Sequence, residues 1–183
     1  MAVRPVRIYG DPVLRQRARP VEAFDDTVAK LVEDMRDTMR ACRGVGLAAN
    51  QVGVLQRVLV AEVPVAEDRL VDLVLVNPEL SDRSGSELDE EGCLSIPGLY
   101  DEVRRAARMR VSGFDASGAG VDFLAEGYLA RVLQHEVDHL DGILFTDRLS
   151  LLKRQFLRND LDALARGEVP AGYHPGDGPG RSI

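Results

Sequence analysis

The chain has no tryptophan, two cysteines and three histidines among its 183 residues. Cys42 and Cys93 lie far apart, which excludes a disulfide framework and any zinc ribbon or knuckle built on close cysteine pairs. Each reads first as a small buried hydrophobe with an inert thiol, and Cys42 keeps that reading. No apolar run approaches the ~20 residues that span a bilayer. The opening Met1-Ala2-Val3-Arg4-Pro5 leads into polar text rather than the apolar stretch of a signal peptide, so a cytoplasmic protein without membrane contact is expected. Positive charge is also short: 23 Lys and Arg face 30 Asp and Glu, for a net charge of -7 and a pI near 5.0. That balance argues against broad DNA binding, which needs a basic face. What remains, 45% hydrophobic and 29% charged, suits one globular domain with a real core, expected over residues 1–166. From Gly167 the text turns to Pro170, Pro175, Gly176, Gly178, Pro179 and Gly180, and a flexible tail is expected over 167–183.

Asp11-Pro12 reads as an N-cap followed by proline at the first helical position, so a short helical turn starts there. Val28, Leu31, Val32, Met35 and Met39 recur at helical spacing and predict an amphipathic helix over about residues 25–42, stopped by Gly44-Val45-Gly46. Val58-Leu59-Val60 and Val71–Val76 are strand-like, with Asn77-Pro78 expected to stop the second. Val103, Met109, Val111 and Phe114 suggest further strand, closed by turn text at Asp115–Gly118. Leu129, Val132, Leu133, Val137 and Leu140 form a buried helix stopped by Gly142. A last helix over about 148–166 is expected to carry Leu149, Leu152, Phe156, Leu161 and Leu164 on one side. The order helix, strands, helix, helix gives an α+β fold.

The sharpest chemical signal is His135-Glu136-Val137-Asp138-His139. On a helix the two histidines, four positions apart, share a face and can reach one metal ion, with Glu136 beside them to work on a water. Burying such groups without a partner is costly, which favours a ligand over chance. The third donor is open at this point. A histidine three residues past Gly142 would continue one peptidase pattern, but Phe145 stands there. His174 lies in the Gly/Pro tail, and Asp160 and Glu168 have no supporting context. Cys93, within Glu91-Gly92-Cys93-Leu94-Ser95-Ile96-Pro97, remains; a thiolate with two imidazoles leaves room for water. A third segment, Gly44 through Gln51, offers small residues that permit close backbone approach, and an amide at Gln51.

Gly44-Val-Gly-Leu-Ala-Ala-Asn-Gln51, Glu91-Gly-Cys-Leu-Ser95 and Gln134-His-Glu-Val-Asp-His139 together resemble the three signature motifs of the peptide deformylases, in the same order and at similar spacing. Tyr9-Gly-Asp-Pro-Val-Leu14 also looks like that family. The resemblance covers roughly residues 4–166 and implies β-sheets, mixed or antiparallel, packed around a central metal-binding helix, with helices at either end. It implies removal of the formyl group from N-formylmethionine on nascent proteins, by one divalent metal. That metal would be Fe(II), with Zn, Ni or Co as other occupants. By similarity Cys93, His135 and His139 bind the metal, and Glu136 acts as general base and then acid. Gln51 and the Leu94 backbone N–H would hold the developing oxyanion, the Gly46 backbone would align the peptide, and Asp138 would pair with Arg105. Val45, Leu94, Tyr128 and Val132 are candidates for an apolar slot that takes methionine. Where some members carry an arginine past the cysteine motif, this chain has Gly98-Leu99-Tyr100. The family also implies a transient ribosome contact through the last helix, with Arg148, Lys153, Arg154, Arg158 and Arg166 as its basic strip. The rivals are a peptidase cutting internal amides and a metal-binding protein without catalysis.

Overall fold

A computed structural model describes residues 2–169; the tail expected beyond Val169 lies outside the described residues. The chain enters through a 3-10 turn at Pro12–Arg15, where the Asp11 carboxylate accepts from Val13 N–H at 3.0 Å. Helix α1 follows over Asp26–Ala41, capped by the Asp25 carboxylate on Thr27 and Val28 N–H, as its 3.6-residue pattern predicts. Seven strands come next: β1 (Gly46–Ala48), β2 (Val58–Ala66), β3 (Arg69–Ser84), β4 (Glu87–Cys93), β5 (Ile96–Arg105), β6 (Arg108–Phe114) and β7 (Gly120–Glu126). Helix α2 spans Gly127–Leu140, and the chain closes with α3 (Leu151–Phe156) and α4 (Arg158–Ala165). The fold is α+β, as the order of elements implied.

Strands β1-β2-β3-β6-β7 form one antiparallel sheet, and β4-β5 a separate hairpin. The large sheet is covered on both faces. Leu59, Ala61 and Val63 of β2 face α2 through Val132, Leu133, Val137 and Leu140. Val58 and Val60 face α1 through Val28, Leu31, Val32, Met35 and Met39. That double burial explains why β2 begins as an unbroken apolar run rather than an alternating one. A third cluster joins Ile96 and Val103 of the hairpin to Leu14, Phe145, Leu161 and Leu164. Every residue of α2 from Leu129 to Leu140 is buried. Each large apolar side chain sealed there contributes on the order of 1.5–3 kcal/mol, enough to hold the helix rigidly between sheet and hairpin.

Two expectations are corrected. Strand β3 does not stop at Asn77-Pro78; it runs to Ser84, with a register shift between Val76 and Glu79 and Asn77 at φ 52°. Proline lacks the N–H that a central strand needs, and a bulge is the arrangement that accommodates it. The last helix is two, meeting at Leu157, and Leu152 and Phe156 are 62% and 76% exposed rather than packed with Leu161 and Leu164.

Candidate metal centre

Helix periodicity places His135 and His139 one turn apart on the face of α2 that looks toward the end of β4. There Cys93 Sγ lies 3.2 Å from His139 Nε2, which lies 3.1 Å from His135 Nε2. All three residues are buried, and their donor atoms fall within 4.8 Å of one another. Ligands at ordinary metal–nitrogen and metal–sulfur lengths around one tetrahedral ion sit roughly 3.3–3.6 Å apart, so small outward shifts of these three donors bring them to the spacing of a shared ion. The His135 tautomer agrees. Glu91 Oε2, a pure acceptor, lies 3.1 Å from His135 Nδ1, so that nitrogen carries the proton and Nε2 keeps its lone pair. Burial, then the neighbouring His135, hold the His139 pKa well below the usual histidine range, which keeps it neutral and able to coordinate. Burial pushes the Cys93 thiol up, against hydrogen bonds from Ser95 and the Ile96 backbone. A bound cation reverses that balance and deprotonates a coordinating thiol. The donor set therefore fits one metal ion.

Glu136, next to His135 on α2, is fully buried, and neither carboxylate oxygen has a hydrogen-bond partner among the described residues. The neighbouring Ala48 N–H is engaged elsewhere, on Gln51 Oε1 at 2.8 Å. Burial, and secondarily the Glu91 charge, raise the Glu136 pKa well above the usual carboxylate range. That same Ala48 bond fixes which end of Gln51 is nitrogen. Gln51 Nε2 points at the centre, 3.7 Å from Cys93 Sγ and 3.2 Å from Ser95 Oγ. Gly46 lies against Glu136, and a Cβ there would stand 2.5 Å from Oε1. Gly46→Ala is therefore expected to displace the carboxylate and cut turnover at least tenfold while the metal stays bound; turnover rate and metal content measured together check this.

The other expected residues are less convergent. Leu94 follows Cys93, with its side chain buried against Gly44. Val45 and Tyr128 are half-buried at the edge of the α2 core, and Val132 is fully buried within it. Tyr128 also lines an open cleft of about 580 Å³ with Val65, Glu87 and Leu129, which does not include the three metal donors. Tyr100 fills the space over Gly92, where a Cβ would come within 2.2 Å of its ring, so the Gly92–Tyr100 pair occupies the strand pairing beside the cysteine.

The sequence reading did not assign roles to Glu91 and Arg131. Glu91 is 1% exposed and accepts from Arg105 Nε at 2.8 Å, Arg105 Nη2 at 2.9 Å and Arg131 Nη1 at 2.8 Å, besides His135. Burial opposes its ionisation, but the Arg105 and His135 hydrogen bonds outweigh it and hold its pKa far below the usual range. Arg131 also reaches the carbonyls of Val103 at 2.8 Å and Glu87 at 3.1 Å, tying the hairpin that carries Cys93 to the helix that carries His135. Asp138 does pair with Arg105, and with Arg148 at 3.0 Å. An arginine one turn before His135 in an otherwise apolar helix was the signal for this network, since residues i and i+4 share a face.

A thiolate and two imidazoles, with a buried carboxylate on the same helix as the imidazoles, define a metal-dependent hydrolase. A family model described as polypeptide deformylase matches residues 3–155. The peptide deformylase of Alkalilimnicola ehrlichii is 48% identical over 177 residues, covering 96% of this chain and 99% of that one. The crystal structure of a Thermus thermophilus peptide deformylase superposes with a TM-score of 0.83 at 47% identity, covering 90% of this chain and 99% of that chain. A Legionella pneumophila peptide deformylase structure gives 0.82 at 45% identity, covering 91% and 98%. The chain belongs to the polypeptide deformylase family.

Proposed function

We propose that this protein removes the formyl group from the N-terminal formylmethionine of newly made chains, with Cys93, His135 and His139 holding the metal and Glu136 moving the proton. The observation that carries the assignment of roles is the buried, unpartnered Glu136 carboxylate, which shares α2 with two of the three donors and whose charge acts on the third, Cys93. When bound, the metal supplies Lewis acidity, which makes water nucleophilic near neutral pH. Glu136 accepts the proton of the attacking water and delivers it to the departing amine, and its raised pKa suits a group that must do both. Gln51 Nε2, held by the Ala48 bond, and the backbone N–H of Leu94 donate to the oxygen that gains charge in the tetrahedral state. The Gly46 backbone aligns the peptide, and Val45, Tyr128 and Val132 form the apolar wall for methionine. The Glu91 carboxylate keeps His135 in the tautomer that coordinates.

Ferrous iron is the working ion in this reading, with zinc, nickel or cobalt as other occupants, since the mixed sulfur–nitrogen donor set accepts all four. The catalytic unit spans residues 1–166, and the protein works in the cytoplasm. Among the described residues no helix is long and apolar enough to cross a membrane. The ribosome contact is assigned to α3 and α4. Lys153, Arg154, Arg158 and Arg166 stand there partly exposed, though each already faces an acid. Loss of ribosome co-sedimentation in Arg154→Glu/Arg158→Glu tests that contact.

Formate release from a formyl-methionyl peptide, assayed on protein loaded anaerobically with iron, tests the activity; cleavage of an internal amide instead would favour the peptidase reading. Cys93→Ala and His139→Ala are each expected to lose both bound metal and turnover. Elemental analysis after dialysis checks this, and retention of stoichiometric metal by either variant would remove that residue from the ligand set.

A further inference from the structure

In an acidic chain most guanidinium groups find a carboxylate, and here Arg4, Arg15, Arg36, Arg40, Arg57 and Arg110 do so. Behind the metal helix the balance inverts. A cleft of about 170 Å³ is lined by Arg83, Arg104, Arg105 and Arg148, with Asp138 as the one carboxylate among its lining residues. Arg105 and Arg148 already share Asp138, and Arg105 also serves Glu91. Arg104 reaches the neutral Ser86 hydroxyl at 3.1 Å, and Arg83 meets no carboxylate among the described residues. Like charges gathered this closely repel one another, and the repulsion is relieved by an anion between them.

The backbone is bent to build this arrangement. Strand β3 shifts register between Ser81 and Ser84, and Asp82 between them takes φ 48°, a left-handed conformation that non-glycine residues rarely adopt. A bulge of this kind breaks the strict alternation of side chains and re-aims the residues beside it, which is how Arg83 comes to line the cleft. Arg104 and Arg105, adjacent on β5, arrive from the hairpin, and Arg148 from the turn after α2. The lining arginines therefore come from three separate elements. An arginine presents five N–H groups in a planar fork, and only three on Arg105 and two on Arg148 are engaged by carboxylates. On Arg148, whose side chain is 40% exposed, the rest of the fork is available to an acceptor with several oxygens.

We propose that this cleft binds a tetrahedral oxyanion of the phosphate class, at a site separate from the metal centre. Its volume suits a small ion with its nearest waters rather than a nucleotide. Titration of the metal-loaded, full-length protein with inorganic phosphate, followed calorimetrically against chloride at matched ionic strength, tests it. Saturable binding is expected in the unaltered protein, at least tenfold weaker in Arg83→Gln/Arg104→Gln. Turnover of a formyl-methionyl peptide in chloride buffer should be unchanged in that variant, which shows that it is folded. Phosphate held by the metal itself would survive the double substitution, so equal binding by both proteins overturns the proposal, as does the absence of saturable binding in the unaltered chain. Should the double variant misfold, Arg83→Gln alone, on the exposed bulge, is expected to weaken binding severalfold; unchanged affinity there overturns the proposal too.

Discussion

Glu136→Ala is expected to lower kcat by about 10²–10⁴-fold, the range that positioned proton transfer contributes, while the protein keeps its metal and its fold. The separation of effects follows from the geometry. Neither carboxylate oxygen is held by a neighbour, so cutting the side chain breaks no hydrogen bond and removes a buried polar group that the fold leaves unpartnered. The three donors approach one another without its help. Formate release measured beside metal content decides the matter. A variant retaining a tenth of the normal rate, or one that emerges without metal, would show that Glu136 has some other job.

Arg105→Ala should produce the largest loss of stability, about 3 kcal/mol, toward the lower end of the cost of breaking a buried ion pair. The Arg105 side chain is 4% exposed and its guanidinium lies between two carboxylates, Glu91 and Asp138. The loss stays at the lower end because Arg131 still serves Glu91 and Arg148 still serves Asp138. For a chain of this size that is a fall of roughly 6–12 °C in Tm. Arg105→Lys is expected to recover little, since one ammonium cannot reproduce a fork that bonds Glu91 through two nitrogens and Asp138 through a third. Thermal unfolding of both variants with metal present checks this; a lysine variant as stable as the unaltered protein would make the interaction one of charge alone.

Helices α1 and α2 were legible because their apolar spacing and stops agree, and α1 adds the Asp25 cap. Strands β4 and β7 were not. Glu87-Leu88-Asp89-Glu90-Glu91 carries too much charge to read as strand, and only pairing with β5 makes it one. Strand β7 lies at the sheet edge, where Asp122 and Glu126 alternate outward as a strand requires but the exposed apolar Leu124 between them blurs the pattern in the sequence. Pro78 signalled a stop that a bulge at Asn77 overrode. In the last segment the spacing is helical throughout, but no glycine or proline marks the break at Leu157, and Phe156 therefore falls on the opposite side from the one its spacing suggests. Within the site, His135, Glu136 and His139 followed from spacing on one helix, and Cys93 from elimination and family resemblance. Glu91 and Arg131 escaped because what they do depends on partners brought together only by the tertiary fold, and a single residue type says nothing of that.

Cys93 and His139 stand 46 positions apart, and β5, β6 and β7 all lie between them. The donor set thus cannot close as a local event while the chain is being made: the sulfur end is synthesised first and must wait until three strands have paired and the following helix has docked. Contacts of such long sequence separation form late and slowly, because the intervening loop must be organised before they give any stability. Competence to hold the ion is in this sense a certificate of completed assembly, and partly folded chains carry the thiol without the means to use it.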